Sequence, residues 1–198
     1  MTRITCRSAA LFLALSATPL LQGCFPLLAA GAGTAAMVAV DRRQPEIVLG
    51  DQRIETTITT RINEQIRDLV HINATSFNNV VLLTGEAPSE QLKADAERVV
   101  AAIPQVKSVI NEIQVAAPST FASRSNDTYL TGKVKAGFLS VDRFSPNDVK
   151  VVTEASVVYL MGLVTRKEAD DATEAARSTG GVRKVVRVFE YIAAAPAR

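Results

Sequence analysis

The chain has 198 residues with 22 basic and 20 acidic side chains, a formal charge of +2, one histidine, two cysteines and no tryptophan. So even a balance gives no electrostatic footprint for a nucleic-acid partner. One histidine and two distant cysteines give no metal-ligand spacing of the His/Cys kind.

Arg3 and Arg7 precede an apolar run, Ala9 to Leu21, that ends in small residues. A positive start, an apolar middle and a small-residue end are the layout of a secretory signal. Pro19 and Gln22 break the run, which is too short for a good membrane span. The stretch Leu21-Gln22-Gly23-Cys24 resembles the lipobox of bacterial lipoproteins. That resemblance implies a signal peptide over 1–23, cleavage before Cys24, and an S-diacylglycerol and an N-acyl chain on that residue. One acyl chain holds only marginally at about 0.8 kcal/mol per buried methylene, so several are needed. No other cofactor is expected. Without Arg3 and Arg7 the remaining chain has 20 basic and 20 acidic residues, so the surplus charge belongs to the signal. Cys6 leaves with the signal and Cys24 takes lipid, so no disulfide is expected within one chain.

Residues 24–50 read as a lipidated tether and linker. Phe25 to Val40 is apolar and rich in Gly and Ala, and Asp41-Arg42-Arg43-Gln44-Pro45 begins a polar linker. From Asp51, a plausible N-cap, Ile54, Ile58, Ile62, Ile66 and Leu69 recur at helical spacing. His71 to Phe77 alternates as a half-buried strand, and Asn78-Asn79 is a hairpin-turn signal. Val80 to Thr84 reads as a buried strand closed by Gly85. Ser89 caps a second helix whose apolar face is Leu92, Ala96, Val99, Val100 and Ile103, and Pro104 ends it. Val106 to Val115 reads as the last strand, with Val109, Ile113 and Val115 on one side. A first domain is thus expected over 51–116, followed by a linker over 117–125.

The programme then repeats. Leu130, Val134 and Phe138 fall 76 positions after Ile54, Ile58 and Ile62. Ala155-Ser156 falls 77 positions after Asn78-Asn79, and Val157 to Gly162 after Val80 to Gly85. Thr165 matches Ser89, and Val182 to Val185 matches Val106 to Val109, with Gly180-Gly181 closing the second helix. A repeat in register through five elements marks a duplication. Two copies that each hold helix and sheet imply two small α+β domains, the second over 126–192, with a tail over 193–198. In each, a helix-strand-strand-helix-strand order packs two helices on one face of a three-stranded mixed sheet. Units of about 65 residues bury thin cores, so the two are expected to stabilise each other through a shared interface.

The doubled strand-Gly motifs, each after a helix and hairpin and before a capped helix and a Val-rich strand, resemble the BON domain of bacterial envelope proteins. With the lipobox, the chain is similar to the dual-BON outer-membrane lipoproteins of Gram-negative bacteria. The resemblance implies an outer-membrane lipoprotein facing the periplasm. It implies anionic phospholipid binding through the second domain, concentration at the division site and a role in envelope integrity. Phe25, not aspartate, follows the cysteine, which fits outer-membrane sorting. The competing expectation is a protein-interaction scaffold for barrel assembly or for regulators of cell-wall amidases, with lipid only as anchor.

The residues themselves point to no enzyme. His71, the sole histidine, reads as a surface or edge residue, and Glu168, Asp170 and Asp171 as a solvated helix face. Gly31-Ala32-Gly33 lacks the strand and lysine of a phosphate loop. A lipid reader is legible in the first helix of the second domain. Tyr129 and Lys133 lie four apart beside the small Gly132, Ala136 and Gly137, and Lys135 adds charge. Tyrosine suits the headgroup region, and lysine gains about 1 kcal/mol near an anionic surface. The candidate phospholipid-binding set is Tyr129, Leu130, Lys133, Val134, Lys135 and Gly137, of which Leu130 and Val134 also belong to the core stripe. The matching helix of the first domain carries Glu55, Thr59, Arg61 and Asn63 and no aromatic residue.

Overall fold

The structure, a computed structural model, describes residues 41–66, 71–141 and 144–194. Cys24, the apolar tether and Leu69 lie outside those residues. Among the described residues no helix is long and apolar enough to cross a membrane.

The first half runs α1 (Pro45–Gln65), β1 (His71–Phe77), β2 (Val80–Ala87), α2 (Glu90–Ala101), β3 (Ser108–Asn111) and β4 (Gln114–Val115). The second runs α3 (Phe121–Phe138), a 3-10 turn (Pro146–Asp148), β5 (Val149–Glu154), β6 (Val157–Val164), α4 (Arg166–Arg177) and β7 (Lys184–Tyr191). The expected order therefore holds in both halves. Each central strand pairs antiparallel with its hairpin partner and parallel with the strand that follows the second helix.

Two boundaries differ from the sequence expectation. α1 begins at Pro45 rather than near Asp51, and α3 at Phe121 rather than near Asn126. Proline suits the first helical turn, where its missing N–H has no intrahelical partner to lose. Thr120 caps α3, its hydroxyl accepting from the Ser123 amide at 3.2 Å. The last strand of the first domain is also broken. The Asn111 side chain accepts from the Ile113 amide, Ile113 is buried, and Val115 is 44% exposed instead of sharing the apolar side.

Asp51 does not cap its helix. It is buried in α1, where its carboxylate accepts from the backbone amides of Asn78 and Asn79, both at 2.8 Å, and from the Ser76 hydroxyl at 2.6 Å. Asn78 and Asn79 have φ of 53° and 67°. Two left-handed residues are what a tight hairpin turn of this hand requires. Asp127 repeats the device in α3, accepting from Ala155 and Ser156 at 2.9 and 2.8 Å, and those residues have φ of 49° and 62°. Ser89 and Thr165 cap α2 and α4 as expected, Thr165 in a reciprocal capping box with Glu168.

The strand glycines mark close backbone approach. A Cβ at Gly85, where φ is 110°, would collide with the His71 carbonyl, and one at Gly162 would stand 2.5 Å from the Asp148 carbonyl.

Each sheet has two apolar faces, one beneath its helices and one turned away from them. Val81 and Leu83 of β2 face the core with Ile54, Ile58, Ile62, Ala96 and Val100 of the helices. Val158, Leu160 and Val164 of β6 face the equivalent core with Val134, Phe138, Ala172 and Ala176. The alternate residues, Leu82 with Phe77 in one domain and Val157, Tyr159 and Met161 in the other, share a third cluster. The two sheets thus pack back to back, as a strand buried on both sides allows. Burial raises the Tyr159 hydroxyl to a pKa of about 12, helped by the charges of Glu112 and Glu154.

Polar contacts rim this seam. Lys150 pairs with Glu55 at 3.0 Å, and the Asn78 side chain donates to Glu190 at 3.0 Å. Two consecutive arginines close one end. Arg42 reaches the second domain, donating to the Leu163 carbonyl at 2.8 Å and pairing with Glu168 at 2.6 Å and Asp148 at 2.9 Å. Arg43 stays on the first, pairing with Asp51 at 2.6 Å and lying 3.9 Å from the centre of the Phe77 ring.

Candidate functional site

The buried edge of α3 is Asp127, Leu130, Val134 and Phe138. This fixes what the helix presents outward. Phe121 is 80% exposed, Tyr129 64% and Leu139, which caps the helix, 74%. With Gly132 and Ala136 they share one side by helical spacing. The only acid in Phe121–Phe138 is the buried Asp127, while Arg124, Lys133 and Lys135 flank the apolar side. The result is a small-residue ridge with large apolar side chains along it and cations beside it.

Lys133 Nζ donates to the Gly180 carbonyl at 2.8 Å and lies 5.5 Å from the centre of the Tyr129 ring. The contact holds the ammonium beside the aromatic face, an attraction of about 0.5–1 kcal/mol at an exposed site. Lys135 is exposed in the last turn, where a cation complements the helix dipole. No neighbour demands Gly132 or Gly137, since a Cβ at either would meet nothing within 4 Å. Gly132 costs about 1 kcal/mol in the helix interior relative to alanine, so the bare ridge is held there against helix propensity.

The expected residue set therefore divides. Tyr129, Lys133 and Lys135 reach the surface and Gly137 is half-buried. Leu130 and Val134, at 1% and 0% exposure, lie beneath the surface in the core and can only position the helix. Phe121 and Leu139 join the surface although sequence reasoning left them out. Phe121 falls in the expected linker, where Thr120, an N-cap residue type, was the available signal.

The matching face of α1 is different. Thr56, Thr57, Thr59 and Thr60 line it, and each hydroxyl donates to a carbonyl one turn back at 2.8–3.1 Å. Arg53 occupies the position equivalent to Tyr129, and Leu49 is the one large apolar side chain exposed on α1 among the described residues.

The acidic group at the start of α4 is not a uniformly solvated face. Asp170 is exposed and pairs with Arg187 at 2.7 Å. Glu168 is buried, and its carboxyl is pulled down to a pKa of about 2, chiefly by the Arg42 guanidinium and also by the Thr165 amide and hydroxyl. A carboxyl so acidic is a permanent structural anion and a poor general acid.

The BON-domain family model matches residues 50–117 and 126–193. The chain is 35% identical over 180 residues to the "Outer membrane lipoprotein DolP" of Haemophilus influenzae, covering 90% of this chain and 93% of that one. It is 30% identical over 155 residues to the "21 kDa hemolysin" of Actinobacillus pleuropneumoniae, covering 77% of this chain and 80% of that one. Neither name is that of an enzyme. Among solved structures, the C-terminal domain of CdsD, a type III secretion structural protein of Chlamydia trachomatis, covers 69% of this chain and 96% of its own at 13% identity with a TM-score of 0.29, a likeness too slight to carry an argument. Two family matches that together span both halves of the fold, and a relative similar over nine-tenths of the chain, place this protein in the BON-domain family as a member that carries the domain twice.

Proposed function

We propose that the protein is an outer-membrane lipoprotein, anchored by acyl chains on Cys24 and facing the periplasm, whose second BON domain reads anionic phospholipid with the outward side of α3. The observation that carries the reading is the joint exposure of Phe121, Tyr129 and Leu139 on one cation-flanked helix. Tyrosine and phenylalanine fit the boundary between headgroup and acyl chain, and lysine and arginine meet anionic headgroups.

The magnitudes explain why an anchor is needed. Three cations at about 1 kcal/mol each and partly inserted rings at roughly 1–2 kcal/mol each make a weak contact. Acyl chains that already hold the domain at the bilayer raise its effective concentration there, so a weak contact suffices. Support of outer-membrane integrity, with enrichment at the division site, is the cellular role this reading serves.

The test is vesicle flotation of residues 41–198, which lack Cys24 and the apolar tether. Flotation with phosphatidylglycerol vesicles and not with phosphatidylcholine, weakening as salt rises, is the expected result. Flotation with neither would leave the acyl chains as the membrane contact and favour a protein-interaction scaffold.

A further inference from the structure

A second cluster lies away from the lipid-facing side, in the seam between the domains. His71 opens β1, Glu86 faces it across the hairpin in register, and Glu154 ends β5 in the other domain. One ligand atom from each of the three lies within 4.8 Å of the others. The His71 Nδ1 is 3.0 Å from a Glu86 carboxylate oxygen. That oxygen also accepts from the Ser119 amide at 3.1 Å, and Glu154 accepts from the Asn73 side chain at 2.9 Å. Both glutamates are 6% exposed.

The charge here does not balance. Among the described residues no lysine or arginine pairs with Glu86 or Glu154. At most one positive charge, on the imidazole, faces two carboxylates that water barely reaches. Buried charges are paired or coordinate a metal. The Ser119 hydroxyl oxygen, on the residue whose amide holds Glu86, is buried and has no hydrogen-bond partner among the described residues.

We propose that His71, Glu86 and Glu154 form a divalent transition-metal site that staples the two BON domains together. One imidazole nitrogen with carboxylate oxygens is a donor set for zinc or its first-row neighbours, whereas magnesium and calcium take oxygen alone. Because ligands come from both domains, an ion bound here favours the docked arrangement over any arrangement that separates them. Asn73 and the Ser119 amide act as outer partners that orient the carboxylates.

The test uses the full chain carrying Cys6→Ser and Cys24→Ser, untagged and in detergent, so that no thiol or added histidine competes. Zinc chloride is titrated calorimetrically, and zinc X-ray absorption is recorded on the loaded protein. One saturable equivalent per chain is expected, with one imidazole and otherwise oxygen ligands. His71→Gln and Glu154→Gln are each expected to weaken uptake at least tenfold. No saturable uptake, a ligand set without imidazole, or unchanged uptake in a variant that keeps the native circular dichroism would overturn the site. Should both variants fail to fold, the absorption spectrum of the otherwise unaltered protein decides alone.

Discussion

Asp51 in the first domain and Asp127 in the second stand at matching positions and hold matching turns, but the turns are not alike. The first is Asn78-Asn79, a pair that tolerates left-handed backbone; the second is Ala155-Ser156, which does not. Left-handed backbone costs roughly 1–2 kcal/mol per ordinary residue, so the second turn leans harder on its carboxylate. The outward helix faces diverge further. α1 shows threonines whose hydroxyls are satisfied by their own helix, and α3 shows Phe121, Tyr129 and Leu139 among cations. The buried carboxylate and the back-to-back sheets recur because the fold needs them. The exposed side of the first helix is free of that demand, and there the two copies diverge into a threonine-lined face and an apolar, cation-flanked one.

Removing the shared carboxylates should have the greatest consequence. Asp127→Ala strips the acceptor from two turn amides and should cost about 3 kcal/mol. Asp51→Ala also strands the Ser76 hydroxyl and removes one of the two carboxylates on Arg43, whose other partner is Asp41 at 2.6 Å, and should cost about 4 kcal/mol. Urea unfolding followed by circular dichroism reads both. A loss under about 1 kcal/mol at either would break the claim that the carboxylate is the common device.

The surfaces should separate the copies next. Phe121→Ser with Tyr129→Ser should weaken binding to phosphatidylglycerol vesicles by about thirtyfold or more. Leu49→Ser with Arg53→Ser, at the corresponding side of α1, should leave it unchanged. Equal losses from the two pairs would mean that both domains face lipid.

Acid should act on the clasp at Arg42. Glu168 has its pKa lowered from 4.5 to about 2. A carboxyl lowered on folding contributes stability that is complete above its unfolded pKa and is lost as pH falls through the folded one. Thermal midpoints should therefore decline between about pH 4.5 and 2 more steeply in the native chain than in Arg42→Ala. Parallel curves would show that the Arg42–Glu168 contact adds nothing. The smallest change is at the turns. Ala155→Gly should stabilise by about 0.5–1 kcal/mol by relieving left-handed strain, and Asn78→Gly should not.

Much of this was written in local chemistry. The order of elements, the Asn78-Asn79 turn and the Ser89 and Thr165 caps follow from periodicity and from side chains that bond their own neighbours. What escaped was tertiary. Asp51 has the composition of an N-cap, and only the folded chain shows that its oxygens go to amides 27 and 28 residues away. The shared core is expected from thin domains, yet its basis lies in Leu82, Tyr159 and Met161, the alternate residues of the central strands, whose facing partners come from the other domain. Tyr129, Lys133 and Lys135 were readable from spacing. Phe121 was hidden because Ala-Ala-Pro-Ser-Thr before it has the composition of a linker, and Arg42 because its partner Glu168 is 126 residues away.

The chain has no tryptophan, so a single introduced indole can report which helix meets the bilayer. Tyr129→Trp and, separately, Arg53→Trp would be placed at the corresponding positions of α3 and α1 and titrated with phosphatidylglycerol vesicles. A blue shift and brightening at position 129 with none at position 53 is the expected result. No shift at 129, or equal shifts at both, would contradict lipid reading by the second domain.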